Sequence, residues 1–134
     1  MNLCVVFDRE TEALPTLPLE DGGIVHWIPN DDGFERRLGW YQPNIVVLDL
    51  RRVPAEAGEI VARVRYAVPH AGVLVLGAAR NLEAAEAAMR AGAAGYITRP
   101  ANLVPALRAI RSDRMYITGT ARQSITSRIV NGES

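Results

Sequence analysis

Asn44-Ile45-Val46-Val47-Leu48-Asp49-Leu50 is the most strand-like run in this chain, and its reading decides the fold. A short, uninterrupted run of branched apolar residues suits a central strand of a parallel sheet, covered on both faces. The run closes on a carboxylate, Asp49. In open α/β sheets the carboxyl ends of the strands form the crevice where ligands and chemistry sit. A carboxylate held there is costly unless something uses or satisfies it.

The same pattern recurs to either side. Leu3-Cys4-Val5-Val6-Phe7 is a second apolar run and also ends on an acid, Asp8. Gly72-Val73-Leu74-Val75-Leu76 is a third, while Ile24-Val25-His26-Trp27-Ile28 and Gly95-Tyr96-Ile97-Thr98 are weaker strand candidates. Helical signals fill the gaps. Residues 32–41 start at Asp32 with Glu35 placed for a capping box, and Phe34, Leu38 and Tyr41 share a face. Residues 55–68 follow Pro54, residues 82–91 run from Asn81 to Gly92, and residues 103–111 start at Asn102. This alternation predicts a doubly wound, flavodoxin-like sheet of five parallel strands.

Both ends depart from the alternation. Arg9 to Gly23 contains Pro15, Pro18 and Gly22, so only Glu10 to Leu14 is left for a helix, and the first helix is expected to be shortened or absent. Met115-Tyr116-Ile117 is extended in character, and Thr120-Ala121-Arg122-Gln123 is a capping box opening a last helix. The expected organisation is one domain over residues 1–118 and a C-terminal linker helix over 119–134.

Composition narrows the function. Fifteen basic residues balance fifteen acidic ones, so no overall positive field draws the chain to nucleic acid. No apolar run is long enough to span a bilayer. The single cysteine, Cys4, falls inside a predicted buried strand and reads as a core residue of a cytoplasmic protein. His26 and His70 have no Cys or His at ligand spacing and read as structural. Every basic residue is Arg, so no compact ammonium is available for any role.

With Asp at the ends of strands one and three, this order of elements resembles the CheY-like receiver domain of two-component response regulators. Val47-Leu48-Asp49-Leu50-Arg51, followed by Pro54, is similar to the phosphoacceptor segment, with one extra residue before the proline. Ala91-Gly92-Ala93-Ala94-Gly95-Tyr96-Ile97-Thr98-Arg99-Pro100 is similar to the strand-five signature, with Arg in place of Lys. The resemblance covers roughly residues 2–112. Ala109 to Ile117, with the capped helix after it, resembles the exit from receivers of the NarL/FixJ class, which lead to a LuxR-type helix-turn-helix.

The resemblance implies a chemistry. An Asp carboxylate attacks a phosphoryl donor and becomes an aspartyl phosphate. Mg²⁺ screens the two anions, held by an acidic pair after strand one, the phosphoacceptor, and a backbone carbonyl two residues on. A Ser/Thr on strand four and a Lys on strand five hold the phosphoryl oxygens. An aromatic on strand five turns inward with that Ser/Thr and reports the state.

Carried over residue by residue, the set is incomplete. Asp49 matches the phosphoacceptor, and Arg51 would supply the carbonyl, leaving its side chain unconstrained. Phe7-Asp8-Arg9 offers one acid where the family has two. Asp8 takes the second place if apolar residues are counted from the start, and the first place in the other register. Mg²⁺, which needs hard oxygen ligands, is therefore expected to bind weakly or not at all through Asp8, Asp49 and the Arg51 carbonyl. Gly77 stands at the Ser/Thr position, Tyr96 keeps the aromatic place, Arg99 replaces the Lys, and Pro100 is retained. The resemblance implies a cis Arg99-Pro100 bond. Asp8 with Arg9 or Arg99 is an equally good reading as a salt bridge that satisfies charge without metal.

The expectation is an atypical, non-enzymatic receiver with impaired phosphorylation at Asp49. Its signal would come from a histidine kinase if one acts on it. Its output would be homodimerisation, with DNA contacted only through a further domain and no membrane partner. A flavodoxin-like module for a small ligand or cofactor is the alternative, as is a phosphorylation-independent interaction domain. No Gly-rich phosphate loop follows the first strand, which weighs against the ligand-binding alternative.

Overall fold

The computed structural model describes residues 2–7 and 24–117. In chain order its strands are β1 (Asn2–Phe7), β2 (Ile24–Pro29), β3 (Ile45–Asp49), β4 (Gly72–Leu76), β5 (Gly95–Ile97) and β6 (Tyr116–Ile117). The helices are α1 (Phe34–Tyr41), α2 (Ala57–Ala67), α3 (Leu82–Arg90) and α4 (Leu103–Arg111). All pairings are parallel, in the order β2-β1-β3-β4-β5-β6. The first five follow the flavodoxin-like order, which reverses direction between β1 and β3 and opens a crevice there.

The five expected strands are present, and a sixth joins them. Tyr116 and Ile117 pair with Gly95 and Tyr96 along the outer edge of β5. Gly95 permits this approach, since a Cβ on it would lie 2.6 Å from the Tyr116 carbonyl oxygen.

The strand period of two divides the core into two layers. Leu3, Val5, Ile45, Val47, Leu74 and Ile97 pack with Leu103, Leu107 and Ile110 of α4. Cys4, Val6, Val46, Leu48, Val75 and Tyr96 face α1, α2 and α3, meeting Phe34, Leu38, Val61, Val64 and Ala85. Every residue of β3 is buried, as its continuous apolar run requires. Burial pushes the Cys4 thiol up to about 11.

Helix starts differ from expectation at three places. Asp32 does not cap α1; Gly33 holds that position at φ 91° with no side-chain cap bond. Pro54 opens a 3₁₀ turn, Pro54–Glu56, and α2 begins only at Ala57. A second 3₁₀ turn, Pro100–Asn102, precedes α4, and the Asn102 side chain caps nothing. Asn81 does cap α3, its side chain accepting from the Ala84 N–H at 3.0 Å. Gly92, at φ 104°, ends that helix as expected. Trp27 and Trp40 lie at the surface, and His26 stacks on Tyr41 with centroids 3.8 Å apart.

Among the described residues no helix is long and apolar enough to cross a membrane. Asp8, Arg9, the Glu10–Leu14 helix, the boundary at 118 and the linker helix at 119–134 lie outside the described residues.

Candidate functional site

Asp49 is the last residue of β3, and it is the one buried polar or charged residue in the described core, with 1 % of its surface exposed. The ladder with β4 continues one residue beyond it, the Leu50 N–H donating to Leu76 O at 2.8 Å. A turn follows at once, closed by the Val53 N–H on Leu50 O at 3.2 Å. That turn brings the Arg51 side chain back onto the carboxylate it has just passed.

The contact is bidentate. Arg51 Nε donates to Asp49 Oδ1 at 2.9 Å and Nη2 donates to Oδ2 at 2.7 Å. The Arg51 backbone N–H lies 3.4 Å from Oδ1 as well. Two parallel charge-assisted bonds of this kind are the strongest arrangement a guanidinium and a carboxylate can adopt. With the Arg51 side chain only 20 % exposed, the pair is largely screened from water. This answers the cost of burying Asp49 without recourse to metal.

The structure adds a contact to what is expected of Arg51. Its backbone carbonyl was the only group given a role, whereas its side chain satisfies the central acid of the site. The signal was present: an Arg two residues beyond a buried strand-end acid, inside a turn. Both carboxylate oxygens of Asp49 thus face the Arg51 guanidinium.

Gly77 and Tyr96 meet at the neighbouring strand ends. The Gly77 N–H donates to Ile97 O at 2.8 Å, so β4 and β5 remain zipped to this point. A Cβ on Gly77 would overlap the Tyr96 phenol, and the ring atom Cε2 would lie 2.6 Å away. The ring thus fills the room that a side chain at 77 would take. Its hydroxyl donates to Ala78 O at 3.3 Å. Tyr96 is 1 % exposed, and burial raises its pKa above the usual tyrosine value.

Arg99 does not join this group. Its side chain is exposed, and neither a hydrogen bond nor an ion pair links it to Asp49. The Arg99-Pro100 bond is not cis, since the described residues contain no cis peptide; the extended backbone at Arg99 leads straight into the 3₁₀ turn. The site therefore consists of Asp49, Arg51, Gly77 and Tyr96 at one rim of the sheet, with Arg99 turned to solvent and Asp8 outside the described residues.

The sequence matches no protein-family model, and no curated protein matches it significantly. Solved structures do match. A two-component response regulator of the LuxR family from Aurantimonas sp. SI85-9A1 is 25 % identical, with a TM-score of 0.72 over 96 % of this chain and 97 % of that one. The isolated receiver domain of RcsB from Salmonella enterica serovar Typhimurium, solved with the phosphomimetic BeF₃⁻, is 16 % identical, with a TM-score of 0.70 over 92 % of this chain and 96 % of that one. A response regulator from Burkholderia pseudomallei, solved with a phosphorylated aspartic acid, a calcium ion and citrate, is 20 % identical, with a TM-score of 0.64 over 97 % of this chain and 74 % of that one.

Proposed function

We propose that the chain is a CheY-like receiver domain of the kind carried by LuxR-family response regulators, and an atypical one, with metal-dependent phosphorylation at Asp49 impaired or absent. The observation that carries this reading is the bidentate Asp49–Arg51 pair. To receive a phosphoryl group the carboxylate must present a free oxygen lone pair in line with the donor. Here the guanidinium holds both oxygens, and the carboxylate is buried beneath it. The lost Ser/Thr hydroxyl at Gly77 and the solvent-facing Arg99 remove two further grips on a phosphoryl group.

The domain then works as a regulatory module and not as an enzyme. Its output is association of two copies, controlling transcription through a DNA-binding domain in the full-length protein. The surface of α3, β5 and α4 offers exposed charges of both signs for such a contact, among them Glu83, Arg90, Arg108 and Arg111. Any phosphoryl input would come from a histidine kinase, and Mg²⁺ would bind weakly.

Incubation with acetyl phosphate and Mg²⁺, read by intact mass, tests the reading. The expected result is no stoichiometric adduct. A full adduct that disappears in Asp49→Ala would show the site to be a working phosphoacceptor and overturn the proposal.

A further inference from the structure

Ile45 opens β3 and Asp49 closes it, so the parallel sheet has a second pole where its strands begin. At that pole a cleft of about 690 Å³ lies between the entries of β3, β4 and β5 and the end of α4. Ile45, Gly72, Ala94 and Ile110 form its floor. A Cβ on Gly72 would lie 2.8 Å from Ile110 Cγ2, so the missing side chain lets the end of α4 settle onto the sheet here. The helix then ends in a left-handed turn, with Asp113 at φ 55° and the Arg114 N–H donating to Ala109 O at 2.8 Å. Arg114 and Met115 enter the wall of the cleft from this turn, immediately before β6. His70, just ahead of β4, stands in the wall as well. The wall holds two guanidiniums, Arg111 and Arg114, against one carboxylate, Asp113. Among the described residues, neither the Arg114 nor the His70 side chain makes a hydrogen bond or ion pair.

We infer that this cleft is a binding site for a small organic carboxylate with an apolar body. Its volume falls within the range of small-molecule sites, roughly 300–1,000 Å³, and it pairs an apolar floor with a few converging polar groups, as such sites do. Ile45 and Ile110 offer the floor for the body, and the flexible thioether of Met115 adapts to its outline. The planar fork of Arg114 matches a carboxylate through two parallel bonds. His70 supplies a ring nitrogen as a second polar partner. An inorganic anion would leave the floor uncovered, and a neutral apolar body would leave the guanidinium unanswered, so the two features together set the ligand class. The site also touches the exit strand. Ala94 of the floor accepts the Tyr116 N–H at 3.2 Å, and Arg114 and Met115 lead directly into that strand. A ligand bridging Arg114 and the entry of β4 therefore braces the outgoing chain. The inference goes beyond the proposed function and holds whether or not Asp49 accepts a phosphoryl group.

Titration of the full 134-residue chain with cinnamate, followed by amide NMR, tests this. Cinnamate carries both features of the class, acetate has the charge without the body, and cinnamyl alcohol has the body without the charge. Cinnamate should give saturable shifts of the Gly72, Ala94 and Met115 amides, and the other two should give none at the same concentrations. Arg114→Ala should weaken cinnamate by about tenfold, the loss of one charge-assisted pair, while the β1 and β3 amides keep their positions. Arg114→Glu, which reverses the charge on an exposed side chain, should abolish the shifts. No saturable shift at this pole overturns the inference. So does binding that both Arg114 variants leave unchanged, or acetate or cinnamyl alcohol binding as tightly as cinnamate. Shifts centred on the exposed rings of Trp40 and Tyr66 would mark non-specific stacking and overturn it equally. Acetyl phosphate labelling reads Asp49 at the opposite pole, so this inference and the proposed function fail separately.

Discussion

Asp49 and Arg51 are two residues apart in the chain and face each other through two parallel hydrogen bonds, so the acid and its counter-charge belong to one local turn. The consequence is a specific response to substitution. Arg51→Ala leaves Asp49 buried and short of its strongest partner, and should destabilise the domain by about 1.5–3 kcal/mol, the range for a hydrogen bond to a charged group. A urea melt measures this. Because the variant removes the guanidinium charge beside Asp49, it should bind Mg²⁺ more tightly than wild type in a calorimetric titration. An Arg51→Ala chain as stable as wild type would show the pair to be ornamental.

Cys4 supplies a pH dependence whose sign is fixed. Burial raises its folded-state pKa to about 11, from an ordinary value of 9.0. Below pH 9 both the folded and the unfolded chain hold the thiol proton, and the linkage contributes nothing to the slope. Between about 9 and 11 the unfolded chain releases the proton and the folded one keeps it, so stability falls as pH rises. Each pKa unit is worth about 1.4 kcal/mol. Tyr96 shifts in the same direction for the same reason and adds to the alkaline loss. Denaturant melts at pH 8 and pH 10.5 should show the decline, and Cys4→Ala should reduce it. The native thiol should also resist Ellman's reagent at pH 8 until the chain unfolds.

Two glycines should respond to alanine in opposite directions. Gly39 lies within α1, and a Cβ added to it would meet nothing within 4 Å, so Gly39→Ala should stabilise the domain by roughly 0.5–1 kcal/mol. Gly92 sits at φ 104°, where an L side chain is strained, and a Cβ would also run into the Arg65 side chain, whose Nη1 donates to Gly92 O at 3.4 Å. Gly92→Ala should cost about 1–3 kcal/mol. Thermal melts of the two variants should move to opposite sides of wild type.

Phe34 anchors α1 on the sheet. It is 1 % exposed, and the Arg63 guanidinium lies over its ring, 5.1 Å from the centroid. Phe34→Ala should lose about 3–5 kcal/mol. Arg63→Ala should lose less, since its ion pair with Glu35 and its ring contact are both partly exposed to solvent. The order of the two unfolding midpoints checks the assignment.

The sheet was legible because branched runs such as residues 45–48 and 73–76 carry their burial in their composition. Asp49 was legible for the same reason, as a charge at the end of such a run. What escaped depended on backbone geometry. The Asp32–Glu35 spacing reads as a capping box, yet the left-handed turn at Gly33 takes the cap position away from Asp32. Arg51 escaped because a one-dimensional reading does not show the turn folding its side chain backward. Gly77 was read as a hydroxyl lost, and its positive meaning, room for the ring of Tyr96, emerges only once β4 and β5 are laid in register. The cis bond at Arg99-Pro100 came from resemblance alone, and the backbone did not follow it.

The direction of β6 has a geometric corollary. A strand added antiparallel to β5 would send the chain away from the pole where Asp49 sits, whereas the parallel pairing returns it toward that pole. The tether to any further module therefore begins at the acidic rim. Effective concentration between that rim and any group tethered beyond Ile117 depends on the length and stiffness of the tether. Lengthening the chain just after that point is accordingly a handle on communication that leaves every contact inside the sheet untouched.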